Sequence, residues 1–128
     1  MKYNYDDKRR CEIVGIDCLE QYLGGIKRFV GLKLPQLNLL LEENFIDPEE
    51  CYNLSPDTME FKAFLEVYPE AKLHGYLVSP ERNDYRVTIE GVEYDGDVSK
   101  EMLMDFVDAF RYADEFTCED DYLYCWFD

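Results

Sequence analysis

The apolar residues of this chain change their period at Pro69. Before it they recur at steps of three and four, the spacing of one helix stripe. After it come segments dense in aromatic and β-branched residues, which suit a pleated, half-buried surface. Helices first, then strands grouped together, predict an α+β fold rather than alternating βαβ units. At 128 residues the chain has length for a single domain, 1–128, and hardly two. No Gly/Ser tract, Pro-rich tract or repeat marks a linker.

Asp17-Cys18-Leu19-Glu20 has the form of a capping box. Leu19, Tyr22, Leu23, Ile26, Phe29 and Val30 follow at helical spacing, predicting a helix near 18–31 weakened by Gly24-Gly25. A second helix is expected after Pro35, with Leu37, Leu40, Leu41 and Phe45 as its buried stripe. Asp47-Pro48-Glu49-Glu50 has the composition of a short helical turn. Ser55-Pro56-Asp57-Thr58 opens a firmer helix that Pro69 stops. Leu73 to Val78 and Tyr85 to Tyr94 then read as an antiparallel hairpin, about 73–94, with Gly91 marking a bulge or an early end. Val87 and Ile89 share one face; Arg86, Thr88 and Glu90 share the other. Ser99 caps an amphipathic helix, about 100–113, whose stripe is Leu103, Phe106, Val107 and Phe110. The final strand, about 121–127, has aromatics on both faces, so it is expected inside the sheet, beside the hairpin and covered on both sides. The whole reads as N-terminal helices packed with a small antiparallel sheet.

Composition narrows the function classes. There are 13 Lys and Arg against 29 Asp and Glu, a net charge of −16. A hydrophobic fraction of 47% with 16% aromatics excludes wholesale disorder. The charge argues against direct nucleic-acid binding, which needs a basic patch, and against docking on anionic lipid. Residues 1–7 hold no apolar run after their positive charge, so they do not read as a signal peptide. The most apolar window, Leu32 to Leu41, is too short and polar to span a bilayer. Five cysteines, an odd count, read as reduced thiols of a cytoplasmic protein, buried as small hydrophobes.

Motifs for chemistry are absent. The one histidine, His74, has no cysteine brought to it by sequence, so it reads as a strand residue serving structure or solvent. Cys11 and Cys18, like Cys118 and Cys125, are too far apart for a zinc pair. Asp95-Gly96-Asp97 begins like an EF-hand loop, but Lys100 and Phe106 stand where its Gly and Glu belong. No phosphate-binding glycine loop exists. No enzyme activity, cofactor or metal is expected.

The charge is unevenly placed. Residues 1–40 hold seven bases and five acids, a balance of +2, whereas residues 41–128 carry −18. On the expected last helix Glu101, Asp105, Asp108, Tyr112 and Glu115 follow steps of 4, 3, 4 and 3, which places them on one face opposite the apolar stripe. Glu93, Asp95 and Asp97 precede it; Glu119, Asp120 and Asp121 follow. Such a row is either a solvated face or a surface that docks on a basic groove.

The docking reading makes the chain a non-enzymatic inhibitor or modulator that occupies the basic groove of a nucleic-acid-handling protein, of nuclease or CRISPR-effector type. In composition and charge alone it is similar in character to the small acidic nucleic-acid mimics of phages and mobile elements, which include anti-restriction and anti-CRISPR proteins. The competing reading is a structural or adaptor protein that assembles through its aromatic C-terminal strand. Either is compatible with a monomer or small homo-oligomer. Arg9-Arg10 and Lys27-Arg28 in the near-neutral head rank second as a contact surface.

Overall fold

A computed structural model describes residues 1–51 and 54–128. Among them the chain forms four helices and one five-stranded antiparallel sheet, the expected α+β class. In order these are α1 (Asp7–Val14), β1 (Ile26–Leu32), α2 (Leu34–Glu42), α3 (Thr58–Val67), β2 (Lys72–Val78), β3 (Val87–Asp95), α4 (Lys100–Phe110), β4 (Glu115–Glu119) and β5 (Tyr122–Trp126). The strand order is β1-β2-β3-β5-β4.

Local chemistry sets several of these boundaries. The Asp57 carboxylate accepts from the Glu60 N–H at 2.9 Å and starts α3. The Ser99 hydroxyl does the same for the Met102 N–H at 3.1 Å and starts α4. Each supplies a partner for an N–H that the first helical turn leaves free. The β2–β3 pairing confirms the expected hairpin, and β5 lies inside the sheet as expected.

One hydrophobic cluster joins the helices to one face of the sheet. Phe29, Leu73, Leu77, Val87, Val92, Leu123 and Cys125 from the strands meet Cys11, Leu37, Leu40, Phe61 and Phe106 from the helices. Phe61 and Phe64 of α3 stand 5.4 and 5.2 Å from Phe110 of α4, so two helices lock through aromatic contacts. Arg28, His74, Tyr76, Tyr122, Tyr124 and Trp126 alternate with the core-facing residues and stay outside that cluster. Among the described residues no helix covers their face.

Several expectations fail, each for a physical reason. No helix spans 18–31. Gly24 and Gly25 both adopt positive φ, 64° and 81°, the conformation of a type I′ turn, and Leu23 pairs with Ile26 across them. Half of the apparent stripe is solvated: Leu19, Leu23 and Val30 are exposed. Asp17 does not cap a helix; its carboxylate takes the Leu19 N–H at 2.9 Å in a local turn. Asp47-Pro48-Glu49-Glu50, by contrast, does close the one short turn expected of it, the Glu50 N–H donating to the Asp47 carbonyl at 3.2 Å and the Glu49 N–H to the Asp47 carboxylate at 2.9 Å. The helix that does form nearby, α1, carries a buried arginine that apolar spacing does not register. Arg10 is fully buried, donating to the Val78 and Arg86 carbonyls at 2.7 and 3.2 Å and pairing with Asp7 at 3.0 Å.

At the other end α4 stops at Phe110, and residues 115–119 pair with β5 as an unexpected edge strand. The β5 aromatics are covered on one side only: Leu123 and Cys125 are buried, whereas Tyr122, Tyr124 and Trp126 are half-buried on the helix-free face. Both hydrogen-bonding edges of β5 are taken, by β3 and β4, so the free edge beside it belongs to β4. Of the five cysteines only Cys11 and Cys125 are buried; Cys18, Cys51 and Cys118 are exposed. No helix among the described residues is long and apolar enough to cross a membrane.

Candidate functional site

The helix-free face is shaped by two β-bulges that meet at His74. On β1, Val30 and Gly31 stand opposite the single residue His74, between the Phe29–Gly75 and Leu32–Leu73 pairs. On β3, Glu90 is the extra residue between the His74–Gly91 and Gly75–Ile89 pairs. A bulge bends its strand and re-aims the residue it inserts. Here both neighbours of β2 bend at one point, leaving a cleft of about 220 Å³. Val87 and Ile89 face the core as expected, and Thr88 and Glu90 face away.

His74 crosses β3 to reach β5. Its Nε2 lies 2.9 Å from the Cys125 carbonyl oxygen, and its ring lies parallel to Tyr124 at 5.2 Å. Gly91 makes room: a Cβ there would stand 1.9 Å from that carbonyl and 2.7 Å from Nε2. A bond to a carbonyl requires the ring nitrogen to donate. Burial pushes the imidazole below its ordinary pKa, so it is held neutral. Cys125 is therefore adjacent to His74 through its backbone, but its thiol points into the core. Burial raises that thiol to about 12, so the two groups form no nucleophile–base pair.

Around this point polar and aromatic side chains converge. Glu90, 7% exposed, accepts from Arg28 Nη1 at 2.7 Å and from Trp126 Nε1 at 3.0 Å. Glu93 accepts from the Tyr122 hydroxyl at 2.7 Å. Tyr122 and Tyr124 lie parallel, 6.4 Å apart, continuing the row that begins at His74. Both phenols are pushed up, first by burial and then by neighbouring carboxylates: Glu93 for Tyr122, Glu115 for Tyr124.

The acids picked out from sequence divide into groups. Register places Glu93 and Asp95 beside Tyr124 and Tyr122 on one flank, and Glu115 and Glu119 beside Trp126 and Tyr122 on the other. These four share the aromatic face. Asp97, Asp120 and Asp121 gather at its end, where the Asp121 and Asp120 carbonyls accept from the Gly96 and Val98 N–H groups. Glu101, Asp105 and Asp108 sit on α4, on the far side of the core from the aromatic face; Asp105 accepts the Tyr68 hydroxyl of α3. Tyr112 and Glu115 lie beyond the helix, so the row of five does not form. Beside the α4 acids, Ala63, Val67 and Ala109 line a shallow groove between α3 and α4. No group of three or more His, Cys, Asp or Glu among the described residues has the placement to hold a metal ion.

The basic head is consumed by structure. Arg10 and Lys27 are buried, Arg9 pairs with Glu43 at 2.6 Å, and Arg28 pairs with Glu90. Sequence reasoning missed the role of Arg28, Glu90, Tyr122, Tyr124 and Trp126. The alternation of Tyr122, Tyr124 and Trp126 with Leu123, Cys125 and Phe127 was the available signal. Comparison with protein families, curated proteins and solved structures found no match for this chain.

Proposed function

We propose that this chain is a non-enzymatic docking protein that occupies the basic groove of a nucleic-acid-handling protein. One observation carries the reading. The helix-free sheet face sets three aromatics of one strand between carboxylates of its two neighbours, Glu93 and Asp95 on β3, Glu115 and Glu119 on β4. Rigid aromatic area anchors an interface at low entropic cost, and flanking carboxylates suit the Lys and Arg of a basic groove. Residues on one strand face recur about every 6.8 Å, twice the ~3.4 Å axial advance per phosphate of one DNA strand. A carboxylate row on this face therefore meets cations spaced for a phosphate backbone. The charge of −16 favours long-range attraction to such a surface and repels nucleic acid itself.

The test is association with basic nucleases, followed by interferometry in rising salt. The account expects binding whose rate falls steeply as salt screens the charges. Absence of binding, or binding indifferent to salt, contradicts it.

A further inference from the structure

Within this docking reading, on which the inference rests, we propose that the cleft between the two bulges receives the guanidinium of an arginine side chain from the partner protein. At about 220 Å³ the cleft is smaller than the roughly 300 Å³ at which small-molecule sites begin, so one side chain suits it better than a cofactor. Its lining residues include His74, Tyr124, Trp126, Glu90, Glu93 and Arg28. Flat aromatic walls with carboxylates between them are the surroundings a planar, forked cation prefers.

The chain itself shows that Glu90, one of the lining carboxylates, takes a guanidinium. Arg28 reaches in from β1 and binds Glu90 at 2.7 Å, with its guanidinium 5.8 Å from the Tyr76 ring. Its side chain is nevertheless 62% exposed, whereas that of Glu90 is 8% exposed. The carboxylate is thus fixed in the sheet, and its cation arrives from an edge strand and solvent. The pair is open to solvent on the arginine side only, so a second guanidinium can displace Arg28 while the buried carboxylate keeps a cation. Among the described lining residues Arg28 is the one cation beside Glu90 and Glu93, with His74 neutral; Lys72 stands opposite Glu93 on β2, outside the lining, so the lining itself holds one carboxylate more than cations. An incoming arginine either joins Glu93 or replaces Arg28 on Glu90, and in both cases it stacks against Tyr124 and Trp126.

Trp126, the sole tryptophan, is a built-in reporter of this event. The experiment follows its fluorescence during titration with Nα-acetyl-arginine amide, Nα-acetyl-lysine amide and free arginine at constant ionic strength. The expected result is a saturable change with the arginine amide, and half-saturation at least about fivefold weaker for the lysine amide. Arg28→Ala, an exposed change, should tighten the arginine amide by about threefold or more, whereas Lys8→Ala on α1 leaves it unchanged. Glu93→Gln should weaken it. Equal response to the two amides, no saturation, or Arg28→Ala behaving like Lys8→Ala overturns the assignment. Free arginine binding more tightly than its amide overturns a partner side chain as the source. Failure of this titration beside salt-sensitive nuclease binding rejects the cleft alone; success beside no nuclease binding rejects the docking reading.

Discussion

At the scale of single residues, His74 and Gly91 act as a pair. A side chain at 91 would collide with the Cys125 carbonyl, a backbone atom that moves only if β5 moves. Gly91→Ala is therefore expected to cost at least about 2 kcal/mol in chemical denaturation, the range of an overpacked core. Gly24→Ala gives the contrast. Nothing lies within 4 Å of its added methyl, so only the positive φ is penalised, at about 1–2 kcal/mol. His74 adds a pH dependence. Burial lowers its pKa in the folded state, so the unfolded chain binds its proton more readily. The stability tied to this group is complete above the unfolded value of about 6.5 and is lost as pH falls toward the lower folded value. His74→Gln keeps an N–H for the Cys125 carbonyl but does not titrate. Between about pH 7.5 and about pH 5.5 the wild type should lose more stability than this variant. Identical slopes would show that the imidazole is not held neutral.

At the scale of elements, α4 stands on its cap and on its aromatics. Ser99→Ala removes the acceptor for the Met102 N–H and should cost about 1 kcal/mol. Phe106, fully buried against Phe64 and Phe116, should cost about 3–5 kcal/mol on truncation to Ala. Thermal unfolding of the two variants ranks these terms. The helices α2, α3 and α4 and the strands β2 and β3 were legible in the sequence, as was the interior place of β5. The failures share a cause. Apolar spacing near Leu19–Val30 mimicked a helix because three of its leucine and valine side chains are exposed, and spacing carries no information on exposure. The positive φ that Gly-Gly permits decided the matter. In α1 the key anchor is Arg10, a cation, invisible to any hydrophobic count. In β4 a five-residue edge strand carries acids on one face, which protect the edge but also resemble a helix continuation. Of the candidate site, Glu93, Asp95, Glu115 and Glu119 were named from sequence. The cleft was not, because bulge register depends on pairing between distant strands.

At the scale of the whole molecule, the negative charge has two addresses separated by the core. One is the aromatic sheet face; the other is the outer side of α4, where Glu101, Asp105 and Asp108 lie near the Tyr68 hydroxyl and the shallow α3–α4 groove rather than along a row of strand aromatics. In the near-neutral N-terminal region Arg10 and Lys27 are buried and Arg9 and Arg28 are ion-paired, whereas Lys2, Lys8 and Lys33 are exposed. Docking through the sheet face predicts that charge matters by position rather than by total. The most direct measurement compares two double variants of equal net charge for their association rate with a basic nuclease at low salt. Glu93→Lys with Glu115→Lys should slow association by about tenfold or more, whereas Asp105→Lys with Asp108→Lys should leave it within about twofold. Equal slowing by both pairs, or a larger effect from the α4 pair, would contradict the sheet face as the docking surface.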